Sequence, residues 1–354
     1  MPFLPPEALA DEASIAVAAA RAVTLARSGE PRAALNLALQ ARRQAQGVDN
    51  VRGELEALNA AAVVHLIRGD AVGAVAAALD ARDLALRAGD RSLLAQAMVS
   101  LQMSAFILGA GSDVHGALRD CTREALESGD TAVEMRARLA LGVVLGDGGH
   151  FDAAAYEFDR ALRLADQHPG AASPARITAN IANLHRKRAT AHFAGGYEAR
   201  ALHECAEAIA MARHACRLAA LEGAVSVEID ALAISGCAYE QRGEPARARV
   251  LLRESIALGR AARCPSAIVW VLGELGRMAL AAGDTDDARA AYAEVLELAR
   301  ELRPSRKIAA ACFGLADVEA HLGHADAARH WRERGAEEAA AFEIASLQTR
   351  RQIG

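Results

Sequence analysis

Seven glycines stand at near-constant intervals along the chain: Gly29, Gly69, Gly149, Gly196, Gly243, Gly283 and Gly323, separated by 40, 80, 47, 47, 40 and 40 residues. A repeat of this length constrains the fold more than any local pattern. Each copy must be one supersecondary unit that buries its apolar face only against its neighbours. Every interval reads alike: an apolar helical stretch, the glycine, then a second helical stretch opening with acidic residues or proline. The gap of 80 holds one degenerate copy, expected to turn near Gly111 and Ser112, so eight copies fit.

The register extends beyond the glycine. Five residues after it stands an alanine (Ala34, Ala74, Ala154, Ala201, Ala248, Ala288, Ala328), with Ala117 in that place in the weak copy. Seven residues before it stands Ala22, Ala62, Gly142, Ala189, Gly236, Gly276 or Ala316, a small side chain where two helices of a pair must cross. Four residues after the alanine comes a plug position, aromatic at Phe158 and Tyr292 and thiol at Cys121 and Cys205. First helices are expected near 11–28, 51–68, 91–109, 131–147, 174–194, 224–242, 265–282 and 304–322. Their partners follow near 31–46, 71–88, 113–128, 151–167, 197–221, 245–262, 285–302 and 324–350. Pro31 and Pro245 suit helix starts, and Asp70, Asp152 and Asp284 lie near helix N-termini. Pro174, Pro265 and Pro304 are expected in the loops between copies.

The pattern Gly142–Gly149–Ala154–Phe158–Ala161 resembles the tetratricopeptide repeat, and Gly236–Tyr239–Gly243–Ala248 and Gly276–Gly283–Ala288–Tyr292 repeat it. The period of 40 exceeds the usual 34 or so of that family, as in the long repeats of bacterial regulatory and sensor proteins. The resemblance implies an all-α, right-handed α-solenoid of about eight antiparallel helix pairs, with first helices lining a concave ligand groove. The domain plan is a tail (1–10), a repeat array (11–323) and a last helix (324–354) that caps the array or links onward. The stretch Gly170–Ile177 is the candidate hinge.

Composition agrees with tightly packed helices: 53% of residues are hydrophobic but only 4% aromatic, and alanine lets backbones approach closely. A net charge of -5 gives no electrostatic reason to expect nucleic acid or an anionic membrane. No apolar run spans a bilayer, no basic-then-apolar leader opens the chain, and the six cysteines form no C-x-x-C pair. A cytoplasmic protein with reduced thiols is expected.

Motifs of catalysis are missing, among them G-x-x-x-x-G-K-[ST], H-E-x-x-H and G-x-S-x-G. His203 with His214 and His321 with His324 lack the spacing or the further ligand that a metal needs. Expected, therefore, are no enzyme activity, no catalytic residue, no cofactor and no metal. What remains is binding of a peptide, a protein segment or a small signal. Candidate groove residues are Asn59, Gln102 and Arg136 in the N-terminal half. Arg176, Asn180, Asn183, Arg186, Lys187 and Thr190 follow on the fifth first helix, then Trp270 and Arg277 on the seventh. Asparagine amides beside cationic heads suit a peptide backbone or a carboxylate. The plainer alternative is a solvated helix face. A second function class is the sensory half of a signalling protein (diguanylate cyclase, kinase or transcription regulator) whose output domain lies outside this chain. Phe342, Ile344 and Leu347 on the last helix are expected to be exposed and to support a homodimer.

Overall fold

A computed structural model describes residues 12–28, 30–110, 113–168, 173–299 and 306–353. The tail, Gly29, Gly111, Ser112, Gly170 to Ala172 of the candidate hinge, and Pro304 lie outside them. Among the described residues all regular structure is helical: α1 (Glu12–Arg27), α2 (Pro31–Gly47), α3 (Val51–Ile67), α4 (Ala71–Ala88), α5 (Arg91–Ile107), α6 (Val114–Ser128), α7 (Thr131–Asp147), α8 (Phe151–Gln167), α9 (Pro174–Ala194), α10 (Glu198–Glu222), α11 (Val225–Gln241), α12 (Pro245–Ala261), α13 (Pro265–Ala281), α14 (Thr285–Leu298), α15 (Arg306–His321) and α16 (Ala325–Ile353). These are antiparallel pairs of an all-α helical-repeat solenoid, as the period requires. No described helix is long and apolar enough to cross a membrane.

The turn glycines adopt the left-handed conformation that a Cβ disfavours, with φ of 76–80° at Gly149, Gly196, Gly243, Gly283 and Gly323. In the degenerate copy that role falls to Gly109, φ 64°, not to Gly111 or Ser112. Asp113 then caps α6 by accepting the Gly116 N–H at 2.9 Å. The correction restores a spacing of 40 on both sides and moves Gln102 to the crossing position seven residues before its glycine. A second left-handed series closes the outgoing helices at Gly89, Gly129 and Gly223, and two copies place Asp49 and Arg263 there instead, each at φ 52°. Pro174 and Pro265 are the first residues of α9 and α13 rather than loop residues; a ring without an N–H loses nothing at that position.

The chain falls into two compact units, residues 1–148 with 152–172 and 349–354, and residues 149–151 with 173–348. In the first unit α1, α3, α5 and α7 pack successively on one another, and each second helix wedges against the next first helix. Its core is alanine-rich: Ala22, Ala34, Ala38, Ala60, Ala61 and Val64 form one cluster. A Cβ on Gly142 would lie 2.5 Å from the buried Phe158 ring, so only glycine admits this plug. In the second unit α9, α11, α13 and α15 pack in the same succession. Its larger core gathers Leu252, Ile268, Val271, Leu272, Tyr292 and Leu315. Trp331 packs against Ile308 and Cys312.

In the first seven copies the plug positions are buried whatever their chemistry, namely Ala38, Ala78, Cys121, Phe158, Cys205, Leu252 and Tyr292, whereas in the last copy Arg332 stands there exposed. Burial pushes the Cys121 thiol up to about 12 and raises that of Cys205, so both act as small apolar groups. On α16 the expectation of three exposed apolar residues is corrected. Ile344 and Leu347 are exposed, but Phe342 is buried beneath the Arg306 guanidinium, 4.7 Å from its ring centroid. On the same helix Gly335 makes room for Phe313; a Cβ would meet that ring at 2.8 Å.

Candidate functional site

The polar face of α9 meets α11 and α13 in the second unit. Arg176, Asn180, Asn183, Arg186 and Thr190 recur at helical spacing and share one face. Asp230 of α11 ties three first helices together. One of its carboxylate oxygens accepts from Arg176 Nη1 at 2.6 Å, and the other accepts from the Trp270 indole Nε1–H at 3.1 Å. Arg176 also donates to Ser226 Oγ at 3.3 Å. Desolvation lowers the pKa of Lys307 on α15 against the attraction of Asp230.

Beside that clip, two amides are oriented by their own helix. Asn180 donates from Nδ2 to the Arg176 carbonyl at 2.9 Å, which leaves Oδ1 as its acceptor half. Asn183 accepts from Arg186 Nε at 3.0 Å through Oδ1, leaving its amino group as the open half. A backbone carbonyl can only accept and a guanidinium can only donate, so neither amide can be flipped. At the far edge, Gln241 of α11 donates to Thr190 Oγ1 at 2.7 Å, and Thr190 donates to the Arg186 carbonyl at 3.2 Å.

Two adjoining pockets follow. One, of about 270 Å³, is lined by Arg176, Ala179, Asn180, Asn183, Arg186, Asp230, Ile234 and Trp270. The other, of about 370 Å³, is lined by Arg186, Cys237, Glu240, Gln241, Glu274 and Arg277. Arg186 belongs to both. Arg277 donates to Glu240 at 2.5 Å and to Glu274 at 2.9 Å, and these bonds, the one to Glu240 foremost, raise its pKa. Burial pushes the Cys237 thiol up to about 12, so it stays protonated and is no nucleophile.

The expected residues thus divide. Arg176, Asn180, Asn183, Arg186, Trp270 and Arg277 come together. Thr190 sits exposed at the edge, and Lys187 is half-buried outside both pocket linings. Asn59 and Gln102 are corrected: both are buried, at 0% and 7% exposure, because α3 packs between α1 and α5 and because Gln102 occupies a helix crossing. Arg136 is half-buried on its own helix, its Nε donating to the Ala132 carbonyl at 3.2 Å and its pKa lowered by desolvation. The sequence reading missed the whole contribution of α11: Asp230, Ile234, Cys237, Glu240 and Gln241. A signal for it existed, since Asn183, Asp230 and Trp270 each stand thirteen residues before their turn glycine.

No family model matches the chain. No curated protein matches its sequence. Solved structures do resemble it. A Rap protein complexed with competence and sporulation factor aligns with a TM-score of 0.58 at 12% identity, over 94% of this chain and all of that one. The Rap conjugation gene regulator of plasmid pLS20, in complex with the Phr* peptide, aligns at 0.57 and 14%, over 85% of this chain and 77% of that one. The apo quorum sensor NprR from B. thuringiensis aligns at 0.55 and 10%, over 91% and 87%. At such identities the likeness concerns the fold.

Proposed function

We propose that this chain is a non-catalytic regulatory protein that binds an extended peptide along α9, α11 and α13. One observation carries the reading: Asn180 and Asn183, three residues apart on the wall of the same pocket, are locked so that one offers an acceptor and the other a donor. A peptide bond needs that complementary pair, because each extended residue presents one N–H and one C=O. The surrounding groups suit binding better than bond breaking, with Asp230 held on both oxygens and Cys237 protonated. Of the structures similar in fold, one holds the Phr* peptide and another is a quorum sensor, which supports a peptide signal as the class of ligand.

The test uses a pool of randomised hexapeptides against the full chain, followed by fluorescence polarisation and by hydrogen exchange. Binding with slowed exchange in α9, α11 and α13 is expected. Asn180→Ala/Asn183→Ala should weaken it roughly 10- to 50-fold, at about 1 kcal/mol per lost hydrogen bond. Protection confined to other helices, or unchanged affinity in a double variant of native helicity, sinks the proposal.

A further inference from the structure

The peptide reading does not say which side chains the groove selects, but its cations do. Three guanidiniums line the two pockets. Arg176 is neutralised by Asp230 at 2.6 Å, and Arg277 by Glu240 and Glu274 at 2.5 and 2.9 Å. Arg186 differs. Its Nε is spent on Asn183, an uncharged group, and among the described residues no carboxylate pairs with it. It is half-buried, it is the one lining residue the pockets share, and its charge reaches the Cys237 thiol in the second pocket. Guanidinium presents five donors in a planar fork that matches a carboxylate edge to edge, and a partly desolvated cation gains most from such a partner. Beside it, Ile234 and Trp270 provide an apolar wall held in place by the indole's bond to Asp230.

Resting on the peptide reading, we infer that the ligand is an acidic peptide: a carboxylate is bound by Arg186, and a neighbouring apolar side chain lies against Trp270 and Ile234. The carboxylate comes from the peptide's own C-terminus or from an aspartate or glutamate side chain, and the experiment separates the two.

Three hexapeptide pools are titrated against the full chain. The first is amidated and lacks Asp and Glu, the second is amidated with one Asp or Glu at a randomised position, and the third has a free C-terminus without Asp or Glu. The second or third pool should bind roughly 10- to 100-fold tighter than the first, the range of a hydrogen bond to a charged group. Arg186→Met should erase that preference, and because it also releases Asn183 it should weaken the first pool as well, though less than the second or third. Arg186→Glu should turn the preference toward lysine-containing peptides. The Arg186→Lys variant, which keeps the charge, should restore part of the preference and guards against reading a folding defect as lost recognition. Equal binding of all three pools, unchanged in Arg186→Met, overturns the acidic-ligand inference and leaves the peptide reading standing. Binding by none of them overturns both.

Discussion

The phenol ring of Tyr292 lies against glycines on two successive first helices, Gly276 of α13 and Gly314 of α15, and one added methyl group measures how tightly. A Cβ built on Gly314 would stand 2.4 Å from Cζ of that ring and 2.6 and 2.7 Å from the two Cε atoms. Carbon atoms in contact sit roughly 3.5–4.0 Å apart, so the ring would have to retreat by about 1 Å. It has little room, being only 7% exposed and crowded by Gly276, where a Cβ would come within 2.9 Å. Overpacking costs roughly 1–3 kcal/mol, and an approach this close belongs in the upper half of that range, about 2–3 kcal/mol. Alanine returns about 1 kcal/mol through its better helix propensity. Gly314→Ala should therefore destabilise by about 1–2 kcal/mol and lower the melting temperature by roughly 2–8 °C. Gly273 supplies the control on α13, since a Cβ there meets nothing within 4 Å. Gly273→Ala should stabilise by about 0.5–1 kcal/mol. Urea melts followed by far-ultraviolet circular dichroism give both values side by side. A Gly314→Ala protein as stable as wild type would refute the claim that small residues are required where these helices meet.

Two further predictions concern the turns. The same histidine–carboxylate hydrogen bond bridges two of them with the partners exchanged: His65 Nδ1 to Asp70 Oδ2 at 2.8 Å, and His324 Nδ1 to Glu319 Oε2 at 2.8 Å. The histidine hydrogen bond holds Asp70 below its usual 3.8 and Glu319 below its usual 4.5. A depressed carboxyl contributes stability that is complete above the unfolded pKa and is lost as pH falls through the folded one. Melting temperature should hold down to about pH 5 and drop below about pH 4, less steeply in His65→Ala/His324→Ala; an identical acid limb in that variant would exclude the pairs as its cause. Arg263 closes α12 at φ 52°, a conformation other copies give to glycine. Arg263→Gly should raise stability by about 1 kcal/mol, and a lower urea midpoint would show that its side chain matters more than its backbone.

Much of the fold was legible because the repeat writes the same contacts many times. Outside the weak copy the small residues seven before the turn glycines are buried where they were expected, and so are the plugs nine after them up to Tyr292, though not Arg332 in the last copy. The weak copy failed for a local reason: Gly109 carries the left-handed turn, and residues up to the Asp113 cap intervene before the next helix. That slip of two residues hid the crossing role of Gln102. The candidate site was legible on α9, whose polar residues outnumber what packing explains, and in part on α13 through Trp270 and Arg277. On α11 the pocket residues are scattered among buried Ile229, Ala233 and Ala238, and only the offset that Asp230 shares with Asn183 and Trp270 marks them.

The period, the turns and the small-residue register were therefore settled by the sequence itself, since they depend on contacts between helices a few residues apart along the chain. What a polar residue on a first helix faces was decided by tertiary structure. Asn59 and Arg186 stand at the same offset, ten before their glycine, yet one is wholly buried and the other lines two pockets. The difference comes from the helices stacked on either side, and helical periodicity, which fixes only the angle around one axis, carries no record of them.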